Sequence, residues 1–228
     1  YRNCITKISK LHFPANQLAK KQIIRLGENP KSVFTYGSLL LDNLKRKKIV
    51  NKKEIEKKFK FKFKNKNILI TLHPASNEKI SPQTQIHSIL SSLKIFNDTF
   101  FIFTSPNPDS GHKIISEEIK RFVKKNKNSI YVKSFGQKYF YSCLKYCDCI
   151  LGNSSSGVIE APYLNISTIN VGKRQQGRLL DKSVTNVDYD KKKIMKSIKK
   201  ILSKKNIFKS RNLYGKSFAA KKILRKIS

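Results

Sequence analysis

From about residue 67 onward, short apolar runs rich in Ile and Phe alternate with longer segments of helical period, and no other feature limits the fold as tightly. The rhythm predicts a parallel sheet covered by helices. Parallel strands must all be returned to one end of the sheet, and the crossover helix that does so buries its apolar stripe on a sheet face. Strands are expected at residues 33–36, 68–72, 100–104, 130–132, 149–152, 168–171 and 185–187, with helices filling the gaps. Residues 83–96 place Ile86, Ile89, Leu90 and Leu93 on one helical face, and residues 111–125 repeat the pattern with Ile114, Ile115, Ile119, Phe122 and Val123. A third helix is expected at 139–146, after a turn at Gly136. Residues 191–205 carry Ile194, Ile198, Ile201 and Leu202 on a narrow face without aromatic anchors, which predicts a core-facing rather than a membrane-surface helix. The Lys-dense stretch 45–66 reads as a short exposed helix followed by a charged, extended connector, although Phe59, Phe61 and Phe63 interrupt the Lys run at alternate positions.

The formal charge of +35 invites a nucleic-acid-binding reading. Only eight of the 49 basic residues are Arg, the residue whose planar fork reads phosphates and bases. The Lys is spread along the chain together with many Asn, Ile and Phe, so the excess reads as biased composition on ordinary surface positions. A basic binding module remains the rival from another class; neither nucleic acid nor a membrane is the expected partner. The longest apolar runs, such as 100–103 and 149–151, fall far below the roughly 18 residues of a membrane span. No signal peptide is visible, and a soluble, cytoplasmic protein is expected. Because the first residue is Tyr1 and the opening segment reads as the middle of a folded protein, an incomplete gene product is expected. The four cysteines, Cys4, Cys143, Cys147 and Cys149, lack both a secretory context and paired zinc-ligand spacing. They are expected to be reduced, three of them as core thiols at a helix end and in the following strand, with no metal bound.

The chemistry concentrates in residues 152–178. Gly152-Asn153-Ser154-Ser155-Ser156-Gly157-Val158-Ile159-Glu160 directly follows an apolar strand, and a strand that runs through small hydroxyl and glycine residues into a helix is where α/β folds hold phosphates. Ser154 and Ser155, with Ser156 and Gly157 as further candidates, would face phosphate oxygens, and Gly152 would let the backbone come close. Glu160, one turn into the expected helix, can accept two hydrogen bonds from a ribose diol. Equally, a Ser-rich loop can simply cap a helix, with Glu160 an ordinary first-turn acid. The next strand ends in Gly172-Lys173-Arg174-Gln175-Gln176-Gly177-Arg178. Ligands of open parallel sheets sit outside the carboxyl ends of neighbouring strands, so Arg174 is placed to grip a diphosphate. Arg178 either joins it or pins the loop to the domain. His73 closes one earlier strand and Asn107 follows another; a lone His is as often a structural hydrogen-bonder as a ligand contact. Asp109 is expected to cap the helix beginning near Gly111.

Read in order, Leu11-His12-Phe13, Leu26-Gly27-Glu28 leading to Gly37 and Asp42, Leu72-His73-Pro74, Pro106-Asn107-Pro108-Asp109, the serine loop, the run from Asn170 to Arg178, and Asn212-Leu213-Tyr214-Gly215 resemble the hydrolysing UDP-N-acetylglucosamine 2-epimerases. Enzymes of that family start bacterial sialic and legionaminic acid synthesis and form the epimerase half of a vertebrate bifunctional enzyme. The resemblance covers essentially the whole chain. It implies a Rossmann-like α/β sheet with helices on both faces, the carboxyl-terminal domain of a GT-B-like two-domain fold. Residues 1–14 would end a truncated amino-terminal domain, 15–208 would form the nucleotide-sugar domain, and 209–228 a terminal helix packing back toward the amino-terminal one. It also implies that His73 and Arg174 contact the diphosphate, Ser154 and Ser155 the phosphates, Glu160 the ribose, and Asn107 the ligand near its phosphate end. The family's reaction eliminates UDP and hydrates the glycal with inversion at C2, giving N-acetylmannosamine or a diacetamido analogue, and its proton-transfer groups lie mainly on the amino-terminal domain. No cofactor is expected, a homo-oligomer is expected of the full-length protein, and this chain alone is expected to be inactive. The non-hydrolysing epimerases and the GT-B glycosyltransferases remain the alternatives within the same fold.

Overall fold

A computed structural model describes residues 1–46, 48–75, 78–203, 209–216 and 218–228, with only the backbone of Arg2. The chain divides into two units, Tyr1–Lys48 with Arg211–Ser228, and Ile49–Ser210.

The first unit holds helices α1 (Arg2–Ile8), α2 (Gln17–Arg25) and α3 (Leu39–Arg46), and a last helix at Ala219–Ile227. Asn16 starts α2, its Oδ1 accepting from the Ala19 N–H at 2.9 Å, which satisfies one of the amide groups a helix start leaves open. Asp42, buried in α3, does the same for the last helix: its carboxylate accepts from the Ala219 and Ala220 amides at 3.0 and 2.7 Å. The strand expected at 33–36 does not form. Val33 makes one isolated bridge to His12, and the alternation that suggested a strand instead stacks Phe13, Phe34 and Tyr36 at ring separations of 6.0 Å.

In the second unit the expected rhythm is realised. Helix α4 (Lys52–Phe59) leads into β1 (Lys66–Thr71), followed by α5 (Pro82–Leu93), β2 (Thr99–Thr104), α6 (His112–Lys125), β3 (Ser129–Val132), α7 (Gly136–Lys145), β4 (Cys149–Gly152), α8 (Glu160–Tyr163), β5 (Ser167–Val171), β6 (Val184–Val187) and α9 (Lys191–Ser203). Among the described residues six strands form one sheet, all parallel, in the order β3-β2-β1-β4-β5-β6. Alternate residues of each strand serve opposite faces. Ile68, Ile70, Phe101, Phe103 and Leu151 pack with Ile86 and Ile89 of α5, Ile115 and Ile119 of α6, and Ile194 and Ile198 of α9. Leu69, Phe100, Ile102 and Ile150 pack on the other side with Ile55 of α4, Cys143 and Leu144 of α7, and Ala161 of α8. This is the α/β sheet with helices on both faces that the sequence predicted.

Two details differ. The stretch after α4 is not a solvated connector, because Phe61 and Phe63 are buried and turn toward the second core while the Lys between them face out. Burying two Phe side chains is worth a few kcal/mol, on the order of 1.5–3 each, so the segment belongs to the fold. No helix joins β5 to β6; a loop carries the chain across. The expected end of the tail helix at 204–205 lies outside the described residues, as do Lys47 and residue 208, which fall within two other expected segments; the helix core is buried through Ile194, Ile198 and Ile201. Cys143, Cys147 and Cys149 are free, buried thiols at the end of α7 and in β4, as expected.

Candidate phosphate and ribose site

Because β2 and β3 lie on one side of β1 while β5 and β6 lie on the far side of β4, the connections from these two central strands leave in opposite directions. A crevice opens at such a reversal, outside the carboxyl ends of the strands. Thr71 of β1 pairs with Gly152 of β4 at this point. Gly152 has φ +134°, and a Cβ there would run into the Thr71 carbonyl oxygen. The glycine is thus needed for the approach of one strand end to the other, not for the approach of a ligand. Gly157 is likewise pressed against protein: a Cβ on it would lie 2.7 Å from Thr168 Cγ2.

The close approach sets Asn153 between the two strand ends, fully buried. Its carboxamide makes a two-way bond with the main chain of His73, accepting from the His73 N–H at 2.8 Å and donating to the His73 carbonyl at 2.8 Å. The Asn153 carbonyl accepts from Arg174 Nη1 at 3.1 Å and from Gln175 Nε2 at 2.7 Å. His73 is held at its other end too, since Nδ1 accepts from the Asn107 N–H at 3.0 Å. That bond assigns the proton to Nε2, which has no acceptor among the described residues. Burial, then the Arg174 charge, lowers the imidazole pKa to about 4, against the pull of Asp109. His73 is consequently a neutral donor near pH 7, aimed by its neighbours. Arg174 is half-buried and makes no ion pair among the described residues.

The serine loop differs from expectation. No long helix follows β4, and the helix-dipole argument for phosphate does not apply. A three-residue turn, Ser155–Gly157, leads to the four-residue helix α8. Ser154 Oγ accepts from the Ser156 N–H at 3.3 Å, capping this turn while its own proton stays free to donate. Ser155 and Ser156 are half-buried.

Glu160 is the first residue of α8 and is 5% exposed. Its Oε2 is buried without a hydrogen-bond partner. Burial pushes the carboxyl pKa up to about 7, opposed by its own backbone N–H and by the Arg178 charge. Tyr141, whose own hydroxyl is pushed up to about 12 by burial and then by the Glu160 charge, lies close by. Arg178 is exposed and acts on Glu160 through its charge alone, since no ion pair joins them.

The structure therefore ties His73, Asn107 and Arg174 into one hydrogen-bonded network through Asn153, with Ser154 next along the chain. Among the described residues no side-chain hydrogen bond joins Glu160, Arg178, Ser155 or Ser156 to that network; Ser156 reaches Ser154, and Arg178 reaches Gln175, only through backbone N–H groups. The Asn107 side chain is exposed, and Asp109 meets α6 only through its carbonyl, which accepts from the His112 N–H at 3.0 Å. Four residues with a part in the arrangement carried no assigned role in the sequence: Asn153, Gln175, Glu78 and Tyr189. Glu78 Oε1 accepts from the Lys173 N–H at 3.0 Å, and the Tyr189 ring covers Gly172 so closely that a Cβ there would lie 2.5 Å from it. Only Asn153 left a signal, as an amide directly after a strand end. A hollow of about 1100 Å³, lined by α5, α6 and residues 189–191, touches none of the candidate site residues named from the sequence. Among the described residues no group of three or more His, Cys, Asp or Glu could hold a metal, and no helix is long and apolar enough to cross a membrane.

Residues 1–228 match the family model described as UDP-N-acetylglucosamine 2-epimerase. The chain is 38% identical over 198 residues to the polysialic acid biosynthesis protein P7 of Escherichia coli, covering 86% of this chain and 50% of that protein. It is 33% identical over 193 residues to the GDP/UDP-N,N'-diacetylbacillosamine 2-epimerase (hydrolyzing) of Campylobacter jejuni, covering 82% of this chain and again 50% of the relative. The chain thus spans about half the length of these relatives. In fold it is similar to the UDP-GlcNAc 2-epimerase of Neisseria meningitidis bound to UDP-GlcNAc, with a TM-score of 0.81 at 20% identity over 97% of this chain and 62% of that one.

Proposed function

The chain belongs to the UDP-N-acetylglucosamine 2-epimerase family, and on that premise we propose that it supplies the UDP-binding part of a hydrolysing 2-epimerase. The substrate is a UDP-N-acetylglucosamine-type sugar and the products are UDP and N-acetylmannosamine, or a diacetamido analogue, for nonulosonic acid and surface polysaccharide synthesis. Hydrolysis is favoured over simple epimerisation by the relative named as a hydrolysing enzyme and by the Gly172–Arg178 loop.

The observation that carries the reading is the junction at the sheet's reversal point. A neutral His73 Nε2–H and the Arg174 guanidinium, joined through Asn153, form a pair of donors at the strand ends where a diphosphate would sit. In the elimination a base takes the C2 proton, the C2–H electron pair forms the C1=C2 bond of the glycal, and the C1–O bond breaks with its electron pair leaving on the UDP oxygen. Donors fixed in place before the reaction stabilise that developing charge without having to reorganise. Water then adds across C1=C2, its proton going to C2 and its oxygen to C1, to give the free sugar. With a pKa of about 4, His73 donates a hydrogen bond rather than a whole proton near pH 7. Ser154 and Ser155 add hydroxyl donors to phosphate oxygens, with Ser156 and Gly157 beside them, and Asn107 lies toward the phosphate end. Glu160, held in a buried position with an oxygen unpartnered, accepts from the ribose hydroxyls. Arg178 counters its charge. No proton-transfer residue is assigned within this chain.

Several exposed apolar side chains of the first unit, among them Ile5, Ile8, Leu26, Phe218, Leu224 and Ile227, suit a surface that the remaining half of the longer protein covers. In this reading residues 1–14 end an amino-terminal domain and residues 209–228 pack back toward it. A cytoplasmic homo-oligomer belongs to the same proposal.

The test uses the whole protein with UDP-N-acetylglucosamine and proton NMR of the products. Free N-acetylmannosamine and UDP are expected in equal amounts, and Arg174→Ala is expected to lower kcat/KM by about a hundredfold, in the range for losing a charge-stabilising donor. UDP-N-acetylmannosamine without free sugar would instead establish the non-hydrolysing reaction, and transfer to an acceptor would establish a glycosyltransferase.

A further inference from the structure

We infer that Asn153 is the positioning residue that makes His73 and Arg174 act on one anionic ligand as a unit. The inference rests on the proposed diphosphate site and goes beyond it, because Asn153 is buried and both polar atoms of its side chain bond to the protein main chain. Its place is forced by the chain itself. Gly152 turns the end of β4 into contact with Thr71, and the Asn153 N–H then donates to the Thr71 carbonyl at 3.2 Å. From there the carboxamide fixes the His73 backbone by two 2.8 Å bonds, and the carbonyl anchors Arg174 and Gln175. His73 and Arg174 lie on loops 101 positions apart, and their only hydrogen-bonded connection among the described residues runs through this residue. A carboxamide is the one side chain of this size that can accept from an N–H and donate to a C=O of the same residue. Asp keeps the first bond and loses the second; Ala loses both.

Joined donors lose affinity in a coupled way, because freeing one loosens the other, whereas independent donors lose it as separate factors. The experiment measures UDP affinity by calorimetry in the whole protein for wild type, His73→Ala, Arg174→Ala and the double substitution, and repeats the set in Asn153→Ala and Asn153→Asp backgrounds. With Asn153 in place, the double substitution is expected to cost roughly tenfold less than the product of the single losses, the scale of a coupled contact of about 1.4 kcal/mol. In either Asn153 background the losses are expected to multiply. Where Asn153→Ala does not fold, Asn153→Asp decides. Coupling that persists without the carboxamide overturns the positioning role and leaves the site standing. Wild-type protein that binds UDP no more tightly than Arg174→Ala overturns the site itself.

Discussion

The junction between β1 and β4 and the start of α8, a few residues further along the chain, treat polar groups in opposite ways. At the junction the buried Asn153 side chain has its donor and acceptor satisfied, and the His73 ring is held by a backbone amide. At Glu160 a carboxylate is equally buried and one oxygen has nothing to bond. A saturated network rigidifies; an unsatisfied charge stores free energy that a correctly placed ligand can release. The first region is finished by the fold, and the second is finished by the ribose in the proposed complex.

The largest way to break the contrast is to spoil the junction's geometry. Gly152→Ala puts a methyl against the Thr71 carbonyl at a φ of +134°, and a loss of about 4 kcal/mol or outright misfolding is expected in urea unfolding. An ordinary melting curve for this variant would mean that the strand ends can part without harm.

Glu160 sharpens the other side. A carboxyl raised from 4.5 to about 7 binds its proton more tightly in the folded chain than in the unfolded one. Its contribution is therefore fully present below about pH 4.5 and lost as pH climbs through 7, up to about 3 kcal/mol from a shift of this size. Glu160→Gln removes the titration, so the variant should gain stability over wild type between pH 5 and pH 8 while binding UDP roughly tenfold more weakly. His73 works in the opposite sense, with its depressed pKa costing stability as pH falls from 6.5 toward 4. Equal stability of Glu160→Gln and wild type at pH 8 would show that the carboxylate is not held at a cost.

The smallest effect tests whether saturation at the strand ends is itself worth anything. Thr71 and Thr104 share a buried hydroxyl bond of 2.7 Å. Thr71→Val leaves Thr104 Oγ1 with only a 3.5 Å contact to the Ile70 carbonyl, and about 1–2 kcal/mol should be lost. Replacing both by Val is expected to restore most of it, because no polar atom is then stranded. A double variant as unstable as the sum of the singles would assign the cost to packing.

The sheet was legible because buried parallel strands write continuous apolar runs, as Ile68–Ile70 and Phe100–Phe103 do. Residues 33–36 carry a similar local pattern without a partner strand, and local pattern alone does not separate the two cases. Phe61 and Phe63 alternate with Lys at the period of a half-buried extended segment, but the charge density hid it. At the site, the strand-end rule selected His73, Ser154 and Arg174, since topology alone brings those ends together. The role of Asn153 depends on a main-chain bond across 80 residues, and the depth of Glu160 depends on α8 being a single turn. Neither is encoded in any local window.

The thiols give the molecule a reporter of its own motions. Cys147 and Cys149 are buried, and burial, with nearby groups, holds both well above the ordinary thiol range, whereas Cys4 is exposed. An alkylating reagent at neutral pH should accordingly tag Cys4 at once and reach the three inner thiols, Cys143 among them, only when α7 and β4 open. The rate of that slow second labelling measures how often the centre of the sheet breathes, on a clock already built into the chain.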